Sequence, residues 1–352
     1  MKAIALRLAL LAGSMLFTWL VVEAGYRVLD PFPLIPAEEI NTTEHGNLTQ
    51  YDPLLGWKGV PNGRAELITE NNRVQLAHNS GGFRDVEHAR GPGTKPAIVV
   101  LGDSFAWGYE VRTGETVVER LRARLGDREF FNLAHRGYGT DQELLTFEGW
   151  SHEGPIEKVL LMFGDNDVDD NNASVRYGKR KPRYALDGGR LELTGVPVVM
   201  QFEWVTGPPG PPRFGPQGRW ERLFLSSHFL HDVHFRYHLW RFPPVVHMTP
   251  FAELDLTVTG AILRRLFEKV EARGAELLVV LIPSAVEIDR LNDWPPYQER
   301  IAVLCTGLGI EHLDLSPAFR GRWLRTYYRT GGHWNARGHE VAAEEIRRRL
   351  RP

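Results

Sequence analysis

From residue 97 onward the chain alternates short apolar runs with longer stretches of mixed polarity. Ala97-Ile98-Val99-Val100-Leu101 is apolar at every position, the pattern of a strand covered on both faces. Further strands are predicted at Glu129–Ala134, Lys158–Phe163, Glu276–Ile282 and Glu311–Leu315. Between and after them, helices are predicted at Glu115–Leu125, Gln142–Trp150, Ala252–Arg273, Tyr297–Leu308 and Ala336–Leu350. Strand–helix alternation of this kind predicts a parallel sheet with helices on both faces. Ligands of such sheets bind beyond the carboxyl ends of the strands.

Two regions break the rhythm. Residues 29–95 are rich in Pro, Gly and Asn and read as a lead-in, with a hairpin over Arg64–Asn79 around Glu70-Asn71-Asn72. Residues 169–250 read as an insertion in a domain spanning 96–352, with Pro208-Pro209-Gly210-Pro211-Pro212, Trp204, Trp220 and Trp240. Its basic run Arg176–Lys181 is expected to be a solvated loop. His228, His231, His234 and His238 are spaced for one helical face, where interleaved Phe, Leu and Tyr favour a half-buried wall over a metal site.

At the other end, Lys2 and Arg7 precede an uncharged run, Leu8–Val22, of 15 residues. With Arg7 snorkelling, the run reaches back to Ile4, about 28 Å of helix at 1.5 Å per residue. That approaches the thickness of a bilayer's hydrocarbon core. Residues 1–28 are therefore read as an uncleaved signal anchor, with a cleaved signal peptide as the alternative. Positive charge before the run places the body outside the cytoplasm, periplasmic or extracellular.

Composition narrows the class. Over 352 residues, 43% are hydrophobic and 24% charged, ordinary for a folded soluble body and unlike a multi-span membrane protein. Net charge is −2, without the basic excess of a protein whose partner is nucleic acid. One cysteine, Cys305, excludes an intrachain disulfide and a cysteine-based zinc site; in its apolar run it reads as core. Asp165, Asp167, Asp169 and Asp170 lack the glycine and glutamate of a calcium loop. No cofactor or metal is called for.

The predicted strand ends carry the chemistry. Gly102-Asp103-Ser104-Phe105 puts a serine at a tight strand-to-helix turn, a candidate nucleophile. Gly137-Tyr138-Gly139-Thr140 lets a backbone N–H approach a ligand closely. In Gly164-Asp165-Asn166-Asp167, the Asn166 amide can face the same cleft. Gly332-His333-Trp334-Asn335, before the last helix, supplies a candidate general base. His135 is expected to line the cleft.

The set Ser104, Gly137, Asn166 and His333, in Gly102–Phe105, Asn132–Gly137, Gly164–Asp167 and His333–His339, resembles the four blocks of the SGNH hydrolases, the GDSL-like esterases and lipases. The lead-in, Tyr51-Asp52-Pro53 through Gly81-Gly82-Phe83-Arg84, resembles their membrane-anchored bacterial branch. The resemblance implies a flavodoxin-like three-layer α/β/α sandwich on a mostly parallel five-stranded sheet. It implies Ser104 as nucleophile, His333 as base, and an oxyanion hole from the N–H groups of Ser104 and Gly137 and the Asn166 side chain. Between Gly137 and Gly139, the family's spacing from Asn132 points to Gly137.

One feature of the family is missing. Its aspartate stands two or three residues before the histidine, where this chain has Gly331 and Thr330. Either a backbone carbonyl orients His333, or a distant acid such as Asp314 does, or activity is reduced. Three functions fit these residues. One is an esterase cleaving acyl esters of a cell-surface or exported glycan or lipid. Another is an O-acyltransferase acting on an exported polysaccharide, with the aromatic insertion as a stacking wall for the sugar. The last is a cell-surface scaffold whose triad has decayed.

Overall fold

The protein is seen in a computed structural model that describes residues 2–29, 34–35, 48–89, 95–200, 226–241, 255–288, 297–328 and 331–351. The chain divides into two compact units. The smaller comprises Met1–Asn41, Ile68–Asn72 and Gly207–His247, the larger Thr42–Leu67, Arg73–Thr206 and Met248–Pro352.

In the smaller unit, the helix Lys2–Leu29 is long and apolar enough to cross a membrane, with a mean hydropathy of 1.9 in its most apolar stretch. Leu8, Leu11, Leu16, Phe17 and Val21 are exposed along it. Near its end, Glu23 accepts from Ser227 Oγ (2.7 Å) and from the N–H groups of His228 and Phe229 (both 3.1 Å). These donors open the helix His228–Arg241, whose first N–H groups have no partner inside the helix. Tyr26 adds a hydrogen bond to Asp232 at 2.9 Å. The four histidines do share a helix: His228 is buried, His231 and His234 are half-buried, and the side chain of His238 is outside the described residues.

The larger unit is built on five strands: β1 Ala97–Gly102, β2 Glu129–Asn132, β3 Ile156–Phe163, β4 Glu276–Leu281 and β5 Glu311–Asp314. They lie in the order β5-β4-β3-β1-β2, every neighbouring pair parallel. Ile98, Val100, Leu160, Met162, Leu278 and Val280 pack on one side with the helices Val117–Arg124 and Ala336–Leu350. Val99, Leu101, Val159, Leu161, Val279 and Leu281 pack on the other with Thr140–Gly149, Thr257–Glu271 and Tyr297–Leu308. Both faces are covered, which is why these strands are apolar without alternation. Each such buried side chain contributes roughly 1.5–3 kcal/mol. Cys305 lies in the second layer, its thiol pushed up to about 12 by burial.

Some boundaries move for local reasons. β2 ends at Asn132 rather than Ala134. The Asn132 side chain there donates to the carbonyls of Arg84 (3.2 Å) and Ala106 (3.3 Å) and accepts from Ala134 N (3.2 Å). The first large helix begins at Val117, because Thr116 caps it by accepting from Glu119 N at 3.3 Å. Most of the lead-in belongs to the same unit: Leu67, Val74 and Leu76, from its strands Arg64–Ile68 and Arg73–Ala77, pack into the first layer. The insertion, read as a break in the strand–helix alternation, holds the hairpins Val175–Arg176/Lys179–Arg180 and Arg183–Asp187/Arg190–Thr194. The second turns on Gly188-Gly189, both at positive φ, a two-residue hairpin signal that the composition masked.

Candidate active site

β1 ends at Gly102, with φ +154°, where a methyl group would stand 2.7 Å from the Ala106 side chain. Only glycine lets the chain turn this closely into the one-turn helix Ser104–Trp107. Asp103 caps that helix, its carboxylate accepting from Phe105 N at 2.9 Å. Ser104 is thus held, half-buried, beyond the carboxyl end of β1.

His333 comes from the far end of the chain. The bridge Tyr327–Trp334 and the hydrogen bond from Tyr328 N to His333 O (2.9 Å) shape its loop. Trp334 is buried, stacked 5.2 Å from Phe319. The His333 ring lies against Phe105 (5.3 Å) and Tyr109 (4.7 Å), and Nε2 is 2.8 Å from Ser104 Oγ. Burial alone pulls this imidazole down to about 4, so it is neutral at pH 7 and able to accept a proton.

Asn166 follows β3 and reaches the residue before Ser104. Its Nδ2 donates to Asp103 Oδ2 at 3.2 Å and to Asp170 Oδ2 at 2.8 Å. Gly137, after β2, has φ +70°, and a methyl group there would stand 2.9 Å from the Tyr177 ring. Gly139 N donates to Gln142 Oε1 at 3.4 Å. Beneath lie the buried acids Asp103, Asp141, Glu143, Asp167 and Asp170. Burial raises all five, Asp103 and Asp141 to about 6 and Glu143 well above the ordinary range.

A family model described as GDSL-like lipase/acylhydrolase matches residues 100–341, more than half of the chain and all four strand-end segments. The chain belongs to the GDSL-like lipase/acylhydrolase family. Solved structures similar to it include a lipolytic G-D-S-L protein from Veillonella parvula, with 14% identity and a TM-score of 0.41 over 71% of this chain and 95% of that one. The esterase EstA from a Pseudoalteromonas species is similar at 12% identity and a TM-score of 0.39, over 73% of this chain and 100% of that one. TesA is similar at 13% identity and 0.39, over 73% and 98%. No curated protein sequence matches. Membership makes this GDSL-like protein an esterase-type hydrolase at the level of the family.

Several expectations need correction. Asp314 does not turn to the histidine: its Oδ1 accepts from Ser316 N (2.8 Å) and Ser316 Oγ (2.6 Å), closing a turn at the exposed end of β5. No backbone carbonyl orients the ring either, because His333 Nδ1 has no hydrogen-bond partner among the described residues. The carboxylate that approaches is Glu110, with Oε2 3.6 Å from Nδ1. No periodicity or spacing singles Glu110 out in the sequence. His135 does not line an open cleft: it is buried and stacked 5.0 Å from Tyr138. Nor is the basic run a solvated loop, since Lys181 is buried, paired with Asp141, and donates to Asp170 O at 2.7 Å. Arg176 pairs with Asp170. Trp204 and Trp220 lie outside the described residues, as do the side chain of Trp240 and Thr330.

Proposed function

We propose that this protein is a serine esterase of the cell envelope, anchored by its N-terminal helix and cleaving acyl esters of a glycan or lipid outside the cytoplasm. The observation that carries the reading is the 2.8 Å contact between His333 Nε2 and Ser104 Oγ. A serine hydroxyl is a weak nucleophile at neutral pH and needs an adjacent base. As Ser104 Oγ attacks the acyl carbon, its proton passes to His333 Nε2. The carbonyl oxygen becomes an oxyanion, facing the N–H groups of Ser104 and Gly137 and, once released from its carboxylates, the Asn166 amide. Collapse returns the proton to the departing alkoxide and leaves an acyl-serine. Water, deprotonated by the same ring, then frees the acid. An assembled serine–histidine pair speaks against a decayed scaffold. Lys2 and Arg7 ahead of the apolar helix support the outward orientation.

A fluorophosphonate should label Ser104, and Ser104→Ala should abolish both labelling and hydrolysis of p-nitrophenyl acetate. Labelling that persists in the alanine variant would sink the reading. Mass spectrometry of products from acylated glycans and lipids separates water from a sugar hydroxyl as the acceptor. A periplasm-active reporter fused after Pro352 should be active, with the intact chain in the membrane fraction; a silent reporter would reverse the topology.

A further inference from the structure

We infer that Glu110 is the positioning carboxylate of His333, supplied by the loop just after the nucleophile instead of by the segment before the histidine. The inference rests on the serine–histidine reading above and adds the group behind the ring.

The imidazole needs an acceptor on its far side. Nε2 faces the Ser104 hydroxyl and must be unprotonated to act as base, so the neutral ring carries its hydrogen on Nδ1. That N–H is buried, and a buried donor without an acceptor is costly. Glu110 Oε2 lies 3.6 Å from this nitrogen. The separation is an ion-pair distance, and roughly half an ångström of closure would make it a hydrogen bond. Catalytic contacts that are long without substrate commonly tighten in its complex.

The loop that carries Glu110 is held in an unusual conformation. Glu110 has φ +67°, in the left-handed region that a side-chain-bearing residue adopts at a cost of about 1–3 kcal/mol. Such a conformation persists only where its surroundings impose it, and here they do. Gly108 N and Tyr109 N both donate to Ser104 O, at 3.0 and 2.9 Å. The buried guanidinium of Arg84 donates to the carbonyls of Trp107 (3.2 Å), Gly108 and Val111 (2.5 Å). Tyr328 Oη donates to Glu110 O at 3.0 Å, which ties the loop to the segment that carries His333. Arg84 belongs to the lead-in string Gly81-Gly82-Phe83-Arg84, and through it that string fixes the backbone presenting Glu110.

Of the two positions where the family places its aspartate, Gly331 has φ +78°, so an aspartate there would be strained. The charge balance is complete without one. The Ser104 proton moves to Nε2, the imidazolium holds its Nδ1 proton toward the Glu110 carboxylate, and the Nε2 proton leaves with the alkoxide.

The test is the pH profile of kcat/KM for p-nitrophenyl acetate in Glu110→Gln. Loss of the charge should lower kcat by about 10²- to 10⁴-fold. It should also move the acid limb to lower pH, because the carboxylate favours the imidazolium and the amide does not. A merely structural role would change the unfolding midpoint and leave the limb in place. A folded glutamine variant with kcat within threefold of wild type and an unmoved limb overturns the inference. If glutamine at 110 does not fold, Glu110→Ala with added formate takes its place. Turnover that rises and saturates with formate supports the role, and wild-type turnover without formate ends it. Fluorophosphonate labelling of Ser104 in the wild-type chain keeps the two claims apart: its absence removes the esterase reading, whereas normal labelling with an indifferent Glu110 removes this inference alone.

Discussion

On one side of Ser104, the His333 ring stands 2.8 Å from the hydroxyl, packed against Phe105 and Tyr109. At the end of β3, by contrast, Asn166 gives both amide hydrogens to the carboxylates of Asp103 and Asp170. The His333 side is held by aromatic packing and backbone hydrogen bonds, with the carboxylate of Glu110 3.6 Å from the ring. The Asn166 side rests on buried acids, with Lys181 and Arg176 as their counter-charges. The serine–histidine contact is therefore already made within the chain. The amide of Asn166 is instead taken up by two carboxylates, and under the proposed reading an oxyanion would have to compete with them.

The sharpest way to break this comparison is His333→Ala. With the base gone, kcat should fall by about 10⁴-fold or more, the scale of losing a triad member. Fluorophosphonate labelling at an unchanged rate would show that Ser104 does not depend on the ring. Next is Lys181→Met, which strands Asp141 in the interior. Breaking a buried pair costs about 3–5 kcal/mol, so the denaturant midpoint should drop sharply at pH 8. The drop should shrink near pH 5, where Asp141, raised to about 6, is protonated. An equal loss at both pH values would mean that the pair is held by packing and not by charge.

Asn166→Ala should cost about 10²–10³ in kcat, the worth of one oxyanion donor. A twofold loss would place its amide permanently on Asp103 and Asp170. The smallest expected effect is Glu143→Gln. Burial raises this carboxyl well above its ordinary value of 4.5. A raised folded-state value favours the fold below the unfolded value and is lost as pH rises through the folded one. The glutamine variant should thus melt a few degrees above wild type at pH 8, about 1 kcal/mol for a domain of this size, and the gap should narrow at pH 5. A gap that widens toward pH 5 would reverse the sign assigned to this acid.

Much was determined locally. Unbroken apolar runs such as Ala97–Leu101 specify strands covered on both faces, because nothing polar along them could face water. Gly102-Asp103-Ser104 specifies its turn: the glycine admits the close approach and the aspartate caps the helix that follows. Asn335 likewise announces the last helix, accepting from Arg337 N at 2.8 Å and Gly338 N at 3.1 Å. The serine, the histidine and their ordered strand ends were legible for that reason. Only the tertiary structure decided the partners. Lys181 reads as one more cation in a basic string until folding carries it 40 positions back to Asp141, and burial makes the pairing obligatory. Glu110 lies 223 positions before His333 and in no pattern; the turn after Ser104, clamped by Arg84 and Tyr328, brings its carboxylate to the ring. Such contacts depend on how separate segments meet in space, and sequence spacing does not encode that.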